Sequence, residues 1–264
     1  MQSMIFAAGL GTRLKPLTDR MPKALVRVGG KPLIEHVIKQ LVAAGSKRVV
    51  VNVHHFANQI IEYLHENDFG IDIRISDESE MLLDTGGGIK KAVSLFNANE
   101  PVLIHNVDIL SNVDLQGLYT YACEAGVEKK ADAVLLVSPR KTKRYLVFDK
   151  DMRLVGWTNF DTGEVKSPYE ALKNLTFTQP YGDNATNEQH GYMLFAFSGI
   201  HVVGGKVFET MNECPEKFPI MDFYLKYAKD LRFIGKVKTD LQLMDVGKLD
   251  TLAEADKFAQ KLGY

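Results

Sequence analysis

Cysteine is scarce in this chain. There are two in 264 residues, Cys123 and Cys214, far apart and without metal-ligand spacing. That argues against a disulfide framework and a thiolate metal site, and the expectation is a reduced, cytoplasmic setting. Tryptophan occurs once, at Trp157. No run reaches the roughly 18 apolar residues of a membrane-spanning helix. The stretch ahead of Met4 has neither the basic n-region nor the apolar h-region of a secretory leader. A dominant charge of either sign is missing too. The 32 Lys and Arg against 33 Asp and Glu leave a formal net charge of −1. That argues against partners gripped by bulk electrostatics, so neither nucleic acid nor an anionic membrane is expected. A phosphate ligand has to be held by a local cluster.

What is present is ordinary globular material, 45% hydrophobic and 25% charged. The length admits one or two domains and a substantial core without covalent staples. Short apolar runs alternate with helical periods through the first half. Residues 4–8 read as a buried strand, and Leu33, Ile34, Val37, Ile38, Leu41 and Val42 as one helical face that stops at Gly45. Strands are expected at 48–53, 71–75 and 101–105. Ile60, Ile61 and Leu64 mark a helix between the first two, and another should run from Ile89 to about Phe96 after Gly86-Gly87-Gly88. Such alternation implies a parallel sheet with right-handed crossovers. Farther on, 131–138 reads as a strand and 145–148 with 154–157 as a hairpin. Residues 159–190 read as a polar loop or flap, 193–203 as a long strand, 221–229 as a helix and 232–237 as a strand. Met244-Asp245-Val246-Gly247 reads as a turn. Thr251 with Glu254 three residues on has the spacing of a capping box for a closing helix.

The most informative stretch is Ala8-Gly9-Leu10-Gly11-Thr12-Arg13-Leu14-Lys15-Pro16-Leu17-Thr18, followed by Pro22-Lys23-Ala24-Leu25. Glycines after a strand let the backbone approach a ligand, and successive N–H groups there cradle an anion. Arg13 and Lys23 add a planar fork and a point charge for phosphate oxygens. The dinucleotide fingerprint would need a third glycine where Leu14 stands, and a P-loop would need Gly-Lys-Ser/Thr, so neither applies. In an open α/β sheet ligands sit at the carboxyl ends of strands. Residues 9–13, 84–88 and 106–108 fall there.

The order Gly-x-Gly-Thr-Arg-Leu-x-Pro-Leu-Thr…Pro-Lys-x-Leu resembles the sugar-1-phosphate nucleotidylyltransferases. Asp84-Thr85-Gly86-Gly87-Gly88-Ile89 is similar to the N-acetylmuramic acid 1-phosphate uridylyltransferase branch. The resemblance implies a Rossmann-like open, mixed, mostly parallel α/β sheet flanked by helices, without the β-helix domain of larger relatives. It implies one domain over 1–264, with a nucleotide-binding lobe to about 110 and a sugar-phosphate-binding lobe after it. The reaction it implies is attack of a sugar 1-phosphate on the α-phosphorus of a nucleoside triphosphate, with Mg²⁺ as cofactor. UTP and N-acetylmuramic acid 1-phosphate come first as substrates. Mannose 1-phosphate with GTP, phosphocholine cytidylyl transfer and a non-catalytic nucleotide-sensing subunit are the alternatives.

By that resemblance Arg13 clamps the β- and γ-phosphates and Lys23 neutralises the α-phosphate. Ala8, Gly9, Gly11, Thr12, Asp84, Gly86, Gly87 and Asn106 complete the nucleotide site, with the glycines at 86–88 as a backbone bed beneath the base. Asp108 and Asp245 are the metal ligands; Val107 stands where the family has glycine, and Lys248-Leu249 where it has Thr-Pro. The sugar end rests on Gly199, within Phe197-Ser198-Gly199-Ile200, and on Trp157, because no Glu-Lys-Pro follows the hairpin. His54, His55 and His190 lack zinc spacing and are expected to be structural. Oligomeric state is not legible.

Overall fold

A computed structural model describes residues 1–97, 99–180 and 187–263. In chain order the first half runs β1 (Gln2–Phe6), a small ribbon of β2 (Arg27–Val28) and β3 (Lys31–Pro32), α1 (Leu33–Ala43), β4 (Arg48–Val53), α2 (Ala57–Glu66), β5 (Asp72–Asp77), α3 (Asp84–Ala92), β6 (Val102–Asn106) and β7 (Ile109–Ser111). The second half continues with α4 (Leu115–Glu128), β8 (Ala133–Ser138), β9 (Arg144–Phe148), β10 (Leu154–Asn159), β11 (Glu164–Lys166), α5 (Glu170–Lys173) and β12 (Glu188–Gln189). It closes with β13 (Tyr192–Val203), α6 (Gly205–Met211), α7 (Ile220–Tyr227), β14 (Phe233–Val237), β15 (Leu243–Asp245) and α8 (Leu252–Leu262).

One mixed sheet organises the molecule, in the order β11-β10-β9-β13-β6-β1-β4-β5, with β8 and β14 joining through β13. The strands β5, β4, β1 and β6 pair in parallel, as strand–helix alternation requires. β13 is antiparallel to β6 on one side and to β8 and β9 on the other. Side chains alternate across the sheet with the period of two. In β4, Val49, Val51 and Val53 enter one core with the apolar stripe of α1, while Val50 enters a second with Met4, Ile104 and the residues of α7. Leu33, Ile34, Val37, Ile38 and Leu41 of α1 are all fully buried, the stripe the sequence showed. Each such side chain contributes about 1.5–3 kcal/mol on burial. Asp114 caps α4, its Oδ1 accepting from the Gly117 N–H at 2.8 Å.

Four expectations change. Helix α3 begins at Asp84, so Gly86, Gly87 and Gly88 lie inside it rather than ahead of it. Its backbone has to approach residues 216–218 closely: a Cβ at Gly86 would sit 2.3 Å from the Phe218 ring, and one at Gly87 2.2 Å from the Glu216 carbonyl oxygen. Asp245 ends a strand, β15 on β7, rather than forming a turn. No capping box forms at Thr251, which has helical dihedrals and whose hydroxyl donates to the Lys248 carbonyl at 2.8 Å. The polar stretch 159–190 is partly structured. β11, α5 and Phe177 cover a third small core with Tyr145, Val147, Val155 and Leu194, and 181–186 lie outside the described residues.

Candidate functional site

The carboxyl ends of β1, β4, β5 and β6 open into a cleft of about 370 Å³ lined by residues of the 6–13 loop, Lys23, Asn52, Glu78, Leu82, Asp84, Thr85, 106–108, Pro219 and Gly247. Its floor is tied together by one polar chain. The Ala7 N–H donates to Asn52 Oδ1 (2.8 Å), Asn52 Nδ2 donates to Glu78 Oε1 (2.7 Å), and the Leu83 N–H donates to Glu78 Oε2 (3.1 Å). Burial pushes the Glu78 carboxyl up in pKa, against the pull of these donors. The sequence reading missed Asn52 and Glu78. Their signal was a lone Asn among the four valines of β4 and a Glu directly after β5.

The glycine loop divides by cause. Gly11 has φ +64°, and a Cβ there would meet Thr18 Cγ2 at 2.8 Å, so the protein itself demands glycine. At Gly9 nothing lies within 4 Å of the Cβ position. Gly9 lines the cleft with that space left open. Ala8, Gly9, Gly11, Thr12 and Arg13 all line it, as do Asp84 and Asn106. Gly86 and Gly87 are absent from the lining, and both donate their N–H groups to the Phe218 carbonyl, at 2.8 and 3.1 Å. The expected bed beneath a base is instead a close contact between α3 and the chain before α7.

Two cation–carboxylate pairs stand at the mouth. Pro22 is extended and delivers Lys23, whose ammonium pairs with Asp108; both side chains are largely buried. Arg13 Nη2 lies 3.8 Å from Asp245 Oδ2, and both are half exposed. Asp245 reaches this place because β15 pairs with β7, and the Val246 N–H donates to the Asp108 carbonyl at 2.8 Å. A Cβ at Gly247 would lie 2.6 Å from Asp245 Oδ1 and 2.7 Å from Arg13 Nη2, so glycine is what lets that pair close. Burial and then the Asp108 carboxylate push the Asp245 pKa up, while Lys23, Arg13 and Arg140 pull it down. Two carboxylates within each other's field, each paired with a cation, form a donor set that suits a hard divalent ion whose remaining ligands are phosphate oxygens. Among the described residues no group of three or more His, Cys, Asp or Glu could hold a metal alone.

At the sugar end the placement is mixed. Gly199 has φ +78° at a bulge in β13, and a Cβ there would come within 2.6 Å of Asn106 Nδ2, so it abuts the cleft wall. Trp157 lies in β10, packed against the second core, with the Lys166 ammonium 5.3 Å from its ring centroid. It is not part of the cleft lining. His54 bonds through Nδ1 to the Glu78 carbonyl (2.6 Å) and His190 through Nε2 to that of Thr176 (2.9 Å), both structural contacts.

Residues 2–154 match the family described as Nucleotidyl transferase. The chain belongs to that family. N-acetylmuramate alpha-1-phosphate uridylyltransferase of Caulobacter vibrioides is 48% identical over 109 residues, 40% of this chain and 45% of that relative, so the match spans about half of the relative's length. D-glycero-alpha-D-manno-heptose 1-phosphate guanylyltransferase of Aneurinibacillus thermoaerophilus is 27% identical over 98% of this chain and 99% of its own. The crystal structure of HddC from Yersinia pseudotuberculosis superposes with a TM-score of 0.68 at 21% identity, over 97% of this chain and 98% of that one. This structural neighbour shares the mixed sheet flanked by helices, the nucleotide-diphospho-sugar transferase fold.

Proposed function

We propose that this protein transfers a nucleotidyl group from a nucleoside triphosphate to a sugar 1-phosphate, releasing pyrophosphate. The observation that carries it is the meeting of Lys23–Asp108 and Arg13–Asp245 beside a glycine loop with open space over Gly9. An oxygen of the sugar phosphate bonds to the α-phosphorus as the bond to the bridging oxygen breaks, and pyrophosphate departs with that electron pair. Positioning and charge neutralisation are what the protein has to supply. The N–H groups of residues 8–12 and the Arg13 fork hold the leaving phosphates, and Lys23 balances charge growing at the α-phosphate. Asp108 and Asp245 would hold Mg²⁺, which when bound neutralises phosphate oxygens and brings two anions together. The first lobe, to about residue 110, takes the nucleotide; the second takes the sugar phosphate, and its Asp245 and Gly247 return to the nucleotide mouth.

Identity to the Caulobacter relative supports UTP and N-acetylmuramic acid 1-phosphate as the substrate pair, and so does the Asp-Thr-Gly-Gly-Gly run. A guanylyl reading has one observation in its favour, the heptose-phosphate relative aligned along nearly the whole chain. Steady-state kcat/KM for UTP and GTP, each with N-acetylmuramic acid, mannose and heptose 1-phosphates, tests the choice. The expected result is a UTP preference of at least about tenfold, roughly 1.4 kcal/mol of transition-state discrimination. Equal or better use of GTP would transfer the assignment to the guanylyl reading.

A further inference from the structure

The cations at the cleft mouth serve the triphosphate, yet the attacking phosphate is also an anion and needs a counter-charge of its own. Arg140 stands where one is required. β13 is antiparallel to both β6 and β8, so β6 and β8 run the same way and their carboxyl ends share one edge. Asn106-Val107-Asp108 leaves the first of these strands and Pro139-Arg140 leaves the second. The Arg140 Nη2 donates to the Phe197 carbonyl at 2.9 Å, two residues before the bulge glycine Gly199 that abuts Asn106. Its backbone is fixed as well. The Tyr145 hydroxyl donates to the Arg140 carbonyl (3.1 Å) and accepts from the Thr142 N–H (3.0 Å).

Three further observations separate Arg140 from a merely structural arginine. Its buried Nε has no hydrogen-bond partner among the described residues, and unlike Arg153 and Arg232, which share that state but lead into strands, Arg140 follows the carboxyl end of one. The contact pairs of Asp108 and Asp245 are with Lys23 and Arg13, and Arg140 belongs to neither. Arg140 and Asp245 nonetheless sense each other's charge: burial lowers the guanidinium pKa, and Asp245 and then Tyr145 raise it. A half-buried guanidinium with donors to spare is costly to leave unmatched and geometrically suited to two phosphate oxygens. Arg140 comes from the second lobe and is absent from the lining of the nucleotide cleft. Arg13 lines that cleft, so the two guanidiniums near Asp245 are divided between it and the second lobe.

We propose that Arg140 binds the phosphate of the sugar 1-phosphate and orients its attacking oxygen, an inference that rests on the nucleotidyl-transfer reading above. The test is steady-state kinetics of wild type, Arg140→Gln and Arg140→Lys, with each substrate varied separately and melting temperature measured in parallel. Gln keeps a polar side chain without the charge or the reach; Lys keeps the charge without the fork. Loss of a charge-assisted bond predicts a KM for sugar 1-phosphate raised about tenfold or more in Arg140→Gln, with Arg140→Lys between it and wild type. The KM for nucleoside triphosphate should stay within about twofold of wild type in both. An unchanged sugar-phosphate KM, or equal rises in both KM values with a lowered melting temperature, would overturn the assignment of Arg140 alone. Wild type without turnover on any pair would instead overturn the transfer reading, and this inference with it.

Discussion

Asp108 balances the Lys23 ammonium, and under the proposed function it carries a second demand, to share a divalent ion with Asp245. Removing its charge while keeping its shape separates them. Asp108→Asn is expected to lower kcat by about 10²-fold or more, since an electrostatic contribution aimed at developing charge is of that size. Nucleotide binding measured calorimetrically without divalent metal should survive; turnover near wild type would take Asp108 out of the site. The residue scale also shows what a sequence can yield. Arg13, Lys23, Asp108 and the loop at 8–12 were legible because their residue types announce phosphate chemistry and their order resembles a known family. Asn52, Glu78 and Arg140 were not, because a single Asn, Glu or Arg has no motif, and only the fold brings β4, β5, β8 and β13 together around them.

Glycine marks the difference between ligand and packing at the scale of the element. The run 86–88 looked like a ligand bed, but the Gly86 and Gly87 N–H groups are occupied by the Phe218 carbonyl and their missing Cβ atoms make room for residues 216–218, while the one missing at Gly88 makes room for Glu78 and Asn52. Gly86→Ala is therefore expected to destabilise the fold by about 1–3 kcal/mol through overpacking, read as a lower denaturant midpoint. Gly9→Ala should leave that midpoint nearly unchanged and raise the KM for nucleoside triphosphate, because Gly9 lines the cleft and an added Cβ touches no protein atom there. A reversed outcome for the two would invert their roles. The strands and the α1 stripe were legible from periodicity. The α3 start, β15 and the folded parts of 159–190 were not, since each depends on a contact distant in sequence: α3 on 216–218, β15 on β7, and β11 with α5 on the third core.

The whole molecule carries a pH dependence that follows from its buried histidines. Burial pushes His105 down to about 4 and His201 to about 3, from an ordinary value of 6.5, and lowers His36 as well. Unfolded, these rings take up protons below about pH 6.5 that the folded protein refuses. Stability is thus fully present above that pH and is lost as pH falls toward the folded values, by up to about 1.4 kcal/mol per pH unit for each ring. Urea unfolding between about pH 6 and 5 should show this slope, and His201→Asn should reduce it by about one proton; an unchanged slope would count against a buried neutral His201. No described helix is long and apolar enough to cross a membrane. The proposed transfer brings two phosphorylated substrates together across Asp108 and Asp245. ³¹P NMR of the protein with Mg²⁺, UTP and N-acetylmuramic acid 1-phosphate, with GTP and other sugar 1-phosphates run beside it, decides whether that transfer takes place. Equimolar pyrophosphate and a nucleoside diphosphate sugar are expected from at least one pair; unchanged substrates in every mixture would refute the transfer.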